Sequence, residues 1–345
     1  MPDPSKSRIR LPGWMYFTAC VLAMLILPWI GAESLHWHEA SAFLKGENTV
    51  HGQILFLQRI PRVLLAVAVG GALSMTGATL QVLFRNPLAE PWTLGVAGGA
   101  AIGAFLAHAF PVLYLTMGPL NSSQALALLG AGAVMGLLFA FSNRAGGGTV
   151  AQTLLLAGVT INVVTGGAIM LVAYFISPFE FVAFHRWMMG GLDVVGYREL
   201  GSFLVLGVPG LAVLAAQARE YNHLALGEDM ALGHGVDVAA VQRRTLVGAG
   251  LTTAACVALT GPIGFVGMII PHVVRRLSGF DNRIALPATF LLGGSALALC
   301  DGMARTMIAP TEIPVGIITA VIGGPVFLYL LSRKQPQGKS WKGGA

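Results

Sequence analysis

The stretch GPIGFVGMIIPHVVRRLSG occupies residues 261–279 and ends in a histidine and two arginines. Its apolar part, residues 262–274, would extend about 20 Å as a helix, which is too short to cross a hydrocarbon core about 30 Å thick. Arginine pairs lie at 243–244, before the preceding apolar run, and at 275–276. Because basic residues favour the cytoplasmic side, the chain must cross outward and return. The pattern predicts a hairpin that turns near Gly261-Pro262, with a short second leg buried among other helices.

The composition of the 345-residue chain is that of an integral membrane protein. Hydrophobic residues make up 55% of it and charged residues only 10%, whereas soluble domains contain about 25% charged residues. The formal charge of +6 does not come from a continuous basic patch, so nucleic-acid binding is not indicated. Glycine supplies 45 residues. The spacings Gly95-x-x-x-Gly99-x-x-x-Gly103 and Gly132-x-x-x-Gly136 predict close contacts between helices.

Apolar segments recur along the whole chain at membrane-spanning length. With the hairpin counted as two segments and the N-terminus placed in the cytoplasm, most Lys and Arg residues fall on the cytoplasmic side. We therefore expect an all-α polytopic bundle of about ten transmembrane helices. Both termini would be cytoplasmic, with tails at 1–13 and 334–345 around one transmembrane domain at 14–333. The segments lie near 14–32, 60–84, 92–117, 124–142, 153–176, 200–218, 245–260, 262–274, 284–309 and 313–331.

The sequence contains no recognisable motif for covalent chemistry or nucleotide binding. Gly338-Lys339-Ser340 resembles the end of a phosphate-binding loop, but Arg333 stands where the first glycine would have to be. Neither Gly-x-Ser-x-Gly nor His-Glu-x-x-His occurs. We therefore expect a non-catalytic chain that binds no cofactor or metal, and any ATP must be used by a partner. Neither disulfides nor zinc sites are predicted at the three cysteines, which lie inside apolar runs: Cys20, Cys256 and Cys300.

Asp301 is an acidic residue inside an apolar run, in ALALCDGMARTM. A charge at mid-bilayer costs about 2.5–3.5 kcal/mol on insertion scales, so Asp301 needs a partner. Arg305 lies four residues further on, and we expect a structural ion pair, with an ion or proton relay as the alternative. His272 beside two arginines is interpreted as a packing or boundary residue. His36 and His38 have no third ligand nearby in sequence, so they do not predict a metal site.

One polar region suggests a cytoplasmic partner. Residues 219–244 are amphipathic, punctuated by glycine and unusually polar for this chain. They are long enough for two short helices that would present Leu226, Met230 and Leu232 to another protein. A solvated connector is the alternative.

Three basic residues suggest a partner on the opposite face. Arg59 and Arg62 flank a proline in QRIPRVLL at the outer entrance of the second segment, and Arg305 lies toward the outer end of the ninth. Each could simply be a snorkelling anchor. Together they would also accept carboxylates of an extracytoplasmic protein.

At these residues the chain resembles the permease subunits of the FecCD family, which are ABC importers of iron chelates, haem and cobalamin. The resemblance covers most of the chain, and the order and spacing of its motifs are highly specific for the family. The motifs are RIPRVLLAVAVGGALSMTGATLQVLFRNPLAEPWTLGVAGGAAIGA at 59–104, LLLAGV at 154–159, LALGEDMALGHGV at 224–236, the hairpin stretch at 261–279 and EIPVGIITAVIGGPVFLYLL at 312–331.

The resemblance implies a type II ABC importer permease architecture and a set of partners. Such a subunit pairs with a second copy of itself around a central path, and two copies of a separate ABC ATPase bind its cytoplasmic face. A solute-binding protein docks outside, where Arg59, Arg62 and Arg305 would receive its acidic residues. The residues implied to couple to the ATPase are Leu226, Gly227, Glu228, Met230, Ala231, Leu232 and Gly233.

The resemblance also implies a translocation path lined by the fifth and tenth helices, and a cytoplasmic gate in the loop between the second and third. The loop that enters the fifth helix departs from the family pattern, because GGGTVAQT at 146–153 lacks an obvious pair of small hydroxyl residues. The hairpin is implied to pack and transmit signals, not to touch ligand. The path and gate residues are Asn86, Leu88, Gly158, Asn162 and Gly166.

The expected function is that of a non-catalytic permease subunit in a bacterial inner membrane. It would belong to an ATP-driven, binding-protein-dependent importer that works by alternating access, with ATP and Mg used by the partner ATPase. Family frequency favours a ferric siderophore; haem and cobalamin are the alternatives, since no motif selects among them. The alternatives of a different class are an ion-coupled secondary transporter that uses Asp301 and an intramembrane enzyme, for which no nucleophile–base pair is evident.

Overall fold

A computed structural model describes residues 11–110, 116–117, 120–144 and 150–332. Most of the two tails predicted at 1–13 and 334–345 lies outside the described residues, as does the first half of the GGGTVAQT stretch, residues 146–149. The described chain is helical almost throughout, as predicted. Its strands are β1 (Thr116–Met117) and β2 (Leu120–Asn121), which pair in antiparallel fashion.

The α-helices of the described residues fall into long bundle helices and short connecting ones. A 3₁₀ turn at Leu27–Trp29 extends the first helix, and a π-helical turn at Ile54–Arg59 makes the third and fourth continuous. The helices are α1 (Gly13–Ile26), α2 (Trp37–Leu44), α3 (Val50–Gln53), α4 (Ile60–Leu83), α5 (Val96–Ala109), α6 (Ser122–Arg144), α7 (Val150–Phe175), α8 (Pro178–Met188), α9 (Arg198–Ala216), α10 (Ala218–Leu224), α11 (Glu228–Gly233), α12 (Val238–Thr260), α13 (Val266–Ser278), α14 (Asn282–Thr306) and α15 (Val315–Ser332).

Each predicted segment corresponds to one helix, but only some helices meet the length and hydropathy of a complete span. Among the described residues, five stretches do so. α1, α5 and α15 are apolar but shorter. The number of spans and the cytoplasmic position of both termini therefore stay predictions. The five stretches are Val50–Leu83, Ser122–Phe141, Leu156–Phe175, Arg198–Ala216 and Asn282–Thr306.

The predicted hairpin is present, and its second leg is broken. α12 ends at Thr260, and Gly261 caps it with a φ of +67°, a conformation that favours glycine. The next residues are not helical, and α13 begins only at Val266. The predicted leg at 262–274 therefore starts too early, because Pro262 and the left-handed Phe265 keep its first residues outside the helix. Non-helical backbone followed by a thirteen-residue helix forms the return leg.

α4 is the centre of the bundle and supports the broken leg. It is buried along nearly its whole length. Gly77 packs directly on the backbone of Gly267 at the start of α13, and Gln81 Nε2 donates to the carbonyl of Met268 at 3.1 Å. Arg275 Nη1 donates to Gln81 Oε1 at 2.8 Å. The short leg is thus enclosed by protein, as non-helical backbone at membrane depth requires.

The two glycine spacings behave differently. Gly99 packs on the backbone of Gly130, and Gly103 packs on that of Leu126, so the first spacing does bring α5 against α6. The prediction for Gly132 and Gly136 is wrong within this chain, because no described atom lies within 4 Å of where their Cβ atoms would be. Spacing alone cannot show which face of α6 meets α5.

Candidate functional site

The three arginines predicted to form a docking face do lie together. They line one cavity of about 400 Å³ near the start of α4, which the predicted topology places outside. They are not open cations, however, since Arg59, Arg62 and Arg305 are only 7%, 9% and 4% exposed. Carboxylates of the same chain also line the cavity: Glu33, Asp193 and Glu312.

Asp301 lies fully buried beneath this cavity and binds two of the arginines. Its Oδ1 accepts from Arg62 Nε at 2.9 Å and lies 2.8 Å from Arg62 Nη2, while Oδ2 lies 3.1 Å from Arg305 Nε. The predicted i,i+4 pair with Arg305 is therefore confirmed. Arg62, on another helix, is the partner that sequence reasoning missed. A carboxylate fixed by two cations favours the structural role over the relay.

Arg59 serves a different purpose in the same cluster. Its Nη2 donates to the backbone carbonyl of Glu33 at 2.6 Å, and its Nη1 lies 3.5 Å from the carbonyls of Pro28 and Trp29. Gly31 allows this approach, because a Cβ there would collide with the guanidinium. Arg59 thus ties the segment between α1 and α2 to the base of α4.

The predicted gate residues lie in the loop between α4 and α5. Asn86 Oδ1 accepts from the N–H of Leu88 at 2.9 Å, and its own N–H donates to the carbonyl of Gln81 at 3.2 Å. Leu88 remains 38% exposed. Asn86 therefore shapes a tight turn that leaves the apolar side chain of Leu88 accessible. This local geometry is compatible with the predicted gate. The residues assigned to the 92–117 segment before Val96 belong to this loop.

Two of the three path residues predicted on α7 hold this same loop. Gly158 packs directly on the backbone of Thr93 and Leu94, and Asn162 Nδ2 donates to the carbonyl of Trp92 at 2.8 Å. Gly166 differs, since no described atom lies within 4 Å of its Cβ position. The loop between α4 and α5, residues 84–95, is called the gate loop below. The structure thus brings Gly158 and Asn162 to the gate loop but leaves Gly166 apart.

Glu90 is a buried residue of this loop that sequence reasoning missed. It is 8% exposed, and burial raises the pKa of its carboxyl to about 7, an effect that the nearby backbone N–H of Phe265, just before α13, offsets in part. A carboxylate at a helix N-terminus is favoured by the helix dipole. The available signal was an acidic residue between two prolines in NPLAEP, next to apolar segments. Glu90 connects the gate loop to the broken hairpin.

A second cavity, of about 520 Å³, opens beside Glu90. Its walls come from the gate loop, the end of α8, the hairpin turn and the first turns of α15. The α15 wall begins just after Pro314, where the resemblance places part of the path. The lining residues are Glu90, Trp92, Met188, Met189, Pro262, Gly264, Phe265, Gly316, Ile317, Ala320 and Val321.

The region 219–244 forms two short helices, α10 and α11, before α12 begins at Val238. The three apolar residues expected to face a partner are exposed: Leu226 by 66%, Met230 by 53% and Leu232 by 58%. Gly227 joins the helices with a φ of +132°, which a side chain would disfavour. Ala231, also assigned to this set, is instead fully buried, so it anchors α11.

The opposite side of these helices is fixed to the bundle. Tyr221 is fully buried, and its hydroxyl pairs with Thr245 on α12 at 2.9 Å; burial raises the pKa of this phenol. Asn222 Nδ2 donates to Asp281 Oδ1 at 2.8 Å. Hydrogen bonds from Arg283 and Asn222 hold the pKa of Asp281 well below its usual range. These hydrogen bonds join α10 to the start of α14.

The histidines of the segment between α1 and α4 lie near one another without forming a recognisable metal centre. The rings of His36 and His51 have centroids 5.3 Å apart, and His51 Nε2 lies 3.4 Å from Glu39 Oε2. Across the described residues, no group of three or more His, Cys, Asp or Glu side chains is placed to hold a metal ion.

The fold defines an α-helical protein with several helices long and apolar enough to cross a membrane, and with a broken hairpin at its core. The model of the FecCD transport family matches residues 19–333, and the chain belongs to this family.

Solved and curated relatives agree with this assignment. A metal-chelate type ABC transporter, solved in an inward-facing conformation, superposes with a TM-score of 0.80 at 30% identity, covering 93% of this chain and 98% of that one. The hemin transport system permease protein HmuU of Yersinia pestis is 40% identical over 81% of this chain and 83% of its own length. The cobalamin import system permease protein BtuC of Halobacterium salinarum is 42% identical over 80% and 73%.

Proposed function

We propose that this chain is the permease subunit of an ATP-driven, binding-protein-dependent type II ABC importer of a bulky metal chelate. The main support for this proposal is that nearly the whole fold is similar to that of a metal-chelate type ABC transporter, with a TM-score of 0.80 over 93% of the chain. The FecCD family match also spans the broken hairpin and both short helices, since it covers residues 19–333. The chain itself would catalyse no reaction, and a separate ATPase would use ATP and Mg.

We propose a ferric siderophore as the substrate, with haem or cobalamin as the alternative. The names of the relatives from Yersinia pestis and Halobacterium salinarum favour the alternative. The cavity beside Glu90 is lined mostly by apolar side chains, which suit a bulky ligand without selecting one. Specificity would then reside largely in the binding protein.

The proposed assembly contains two copies of this chain and two ATPases, with one binding protein outside. Exposed Leu226, Met230 and Leu232 support ATPase docking on one face. The arginine cluster supports binding-protein docking on the other. Movement of the short helices would bias two arrangements of the bundle, and the loop with Asn86 and Leu88 would close the path.

An ion-coupled secondary transporter has less support. Asp301, its proposed coupling group, is fully buried and lies close to two arginines. An ion-coupling carboxylate has to exchange its cation during transport. Two fixed guanidinium groups leave Asp301 poorly suited to that exchange.

Uptake in proteoliposomes tests the proposal. The chain would be reconstituted with its ATPase and binding protein and offered a ferric siderophore, haem and cobalamin in parallel. We expect ATP-dependent uptake of one of these ligands, abolished when the binding protein is omitted. Uptake without ATP, or failure to associate with any ATPase, would contradict the importer assignment. Uptake of haem or cobalamin alone would overturn only the siderophore proposal.

A further inference from the structure

Arg62 has two sides that differ in their access to solvent. Its Nε and Nη2 face Asp301, whose side chain is fully buried. Its Nη1 faces outward to Glu312 Oε2 at 2.6 Å and to Asp193 Oδ1 at 3.5 Å. The side chains of Glu312 and Asp193 are 41% and 61% exposed. One side of the guanidinium is therefore structural, and the other can be reached from the cavity.

The charges around the cavity balance in the chain alone. Arg59, Arg62 and Arg305 face the lining carboxylates Glu33, Asp193 and Glu312, with Asp301 buried beneath. Arg186 lies on the rim, with its Nη2 3.9 Å from Asp193 Oδ2. Four cations thus meet four carboxylates. An acidic partner would gain little from this cavity unless one of the chain's own carboxylates moved aside.

Glu312 makes the shorter of the two accessible contacts to Arg62 Nη1, at 2.6 Å against 3.5 Å for Asp193, so it is the carboxylate that holds the position a partner would need. Solvent-exposed ion pairs contribute little to stability, whereas breaking a buried pair leaves an uncompensated charge. Exchanging Glu312 for a partner's carboxylate at Nη1 preserves the number of charge-assisted hydrogen bonds to Arg62. Asp301, in contrast, is fully buried, and its removal would leave Arg305 without an ion-pair partner.

Glu312 also lies at the entrance to α15. Two backbone hydrogen bonds hold the same segment, from Ile313 N–H to the Ala304 carbonyl and from Gly316 N–H to the Gly190 carbonyl, both at 3.1 Å. The Arg62–Glu312 pair is therefore a side-chain link between α4 and the start of α15. Ile317, one turn into α15, lines the cavity beside Glu90.

We propose that Glu312 occupies the position of a partner's carboxylate on Arg62, and that docking of an acidic extracytoplasmic protein displaces it and frees the segment that enters α15. This inference rests on the proposed function, because it needs a binding protein that docks on this cavity. The added step is that a partner's carboxylate replaces Glu312 on Arg62, and that this replacement releases the start of α15.

Affinity measurements on the complete transporter in lipid nanodiscs test the exchange. We expect Glu312→Gln to tighten binding of the binding protein about tenfold, because the internal competitor is removed and the side-chain volume is kept. Glu180→Gln is the matched control. It removes the same charge from the first turn of α8, where Glu180 accepts a hydrogen bond from the Ser177 hydroxyl, and it should change the affinity less than twofold.

The outcomes separate the inference from the proposed function. If wild type binds the protein and Glu312→Gln binds it equally or more weakly, the exchange is wrong while the importer assignment stands. If both glutamine variants tighten binding equally, general charge explains the effect and the exchange is also wrong. If wild type transports substrate but binds no extracytoplasmic protein, both proposals fail.

Hydrogen exchange followed by mass spectrometry tests the second half of the inference. Without any partner, Glu312→Ala should speed amide exchange across residues 308–318 by about tenfold, since the link to Arg62 is gone. Glu180→Ala should leave that segment unchanged. Unchanged exchange in Glu312→Ala would show that the ion pair does not restrain the entrance to α15.

Discussion

At the scale of single residues, Asp301 determines the character of the outer cavity. It binds Arg62 and Arg305 from a position with no solvent access, so each arginine keeps a fixed orientation. Without it Arg305 would lose its ion-pair partner, and an unpaired charge in a low-dielectric interior is costly. Its role is therefore to position cations that a partner would contact.

Replacing Asp301 with asparagine should destabilise the protein strongly. The change keeps the size of the side chain but removes the ion-pair partner of Arg305 and leaves Arg62 with only the more exposed Glu312 and Asp193. Breaking a buried pair in this way costs about 3–5 kcal/mol. The midpoint of thermal unfolding in detergent should fall clearly. Asp193→Asn is the matched control, since that side chain is 61% exposed and an exposed pair contributes about 0–1 kcal/mol. Equal midpoints for the two variants would refute the positioning role.

At the scale of elements, close helix contacts and one broken helix give the bundle its shape. Gly77, Gly99 and Gly103 let backbones meet where a side chain would collide. The return leg of the hairpin begins with non-helical backbone, and its Phe265 N–H lies near the buried carboxyl of Glu90. The gate loop, α7 and α13 are thus joined by short polar contacts rather than by long apolar faces.

Two glycine-to-alanine substitutions should separate packing from helix propensity. Gly103→Ala places a methyl group against the backbone of Leu126, and overpacking of this kind costs about 1–3 kcal/mol. Gly136→Ala meets no described atom within 4 Å and should leave stability equal or higher, because alanine favours helix by about 1 kcal/mol. Thermal unfolding of both variants measures the difference. A lower midpoint for Gly136→Ala would mean that this face of α6 is packed in the assembly.

At the scale of the whole molecule, two opposite faces have different chemistry. The cavity near the start of α4 is ionic and balanced in charge, whereas α10 and α11 present exposed apolar side chains from a firmly anchored base. The hydrogen bonds from Asn222 to the start of α14 and the course of α14 toward the arginine cluster connect the two faces. A membrane protein that exchanges signals between an outer and an inner partner needs such a connection.

Leu226→Asp should weaken binding of the ATPase without disturbing the fold. The side chain is 66% exposed, so a charge costs little in the isolated chain but disrupts an apolar interface. We expect at least a tenfold loss of ATPase co-purification at an unchanged unfolding midpoint. Ala239→Asp, at an exposed position of α12 outside the short helices, should retain the ATPase. Full retention by Leu226→Asp would remove this residue from the coupling surface.

Much of the secondary structure could be predicted from the sequence. Hydropathy located the ten segments, the arginine pairs located the hairpin, and composition located the two short helices. Their boundaries were less accurate, as at Val96 and Val266, because prolines and left-handed residues shift a helix start by several positions. The short helices α2 and α8 were not predicted, since helices of eight and eleven residues carry little periodic signal.

The sequence by itself determined the helical membrane architecture, the turn at Gly261, the Asp301–Arg305 pair and the resemblance to one transport family, because hydropathy and spacing act within a few helical turns. Only the tertiary structure decided that Arg62 joins Asp301, 239 positions away, and Glu312, 250 positions away. It alone decided that Asn162 holds the gate loop and that Gly130 meets α5. The physical reason is that these contacts depend on which helix faces pack together, and no local pattern along the chain records that choice.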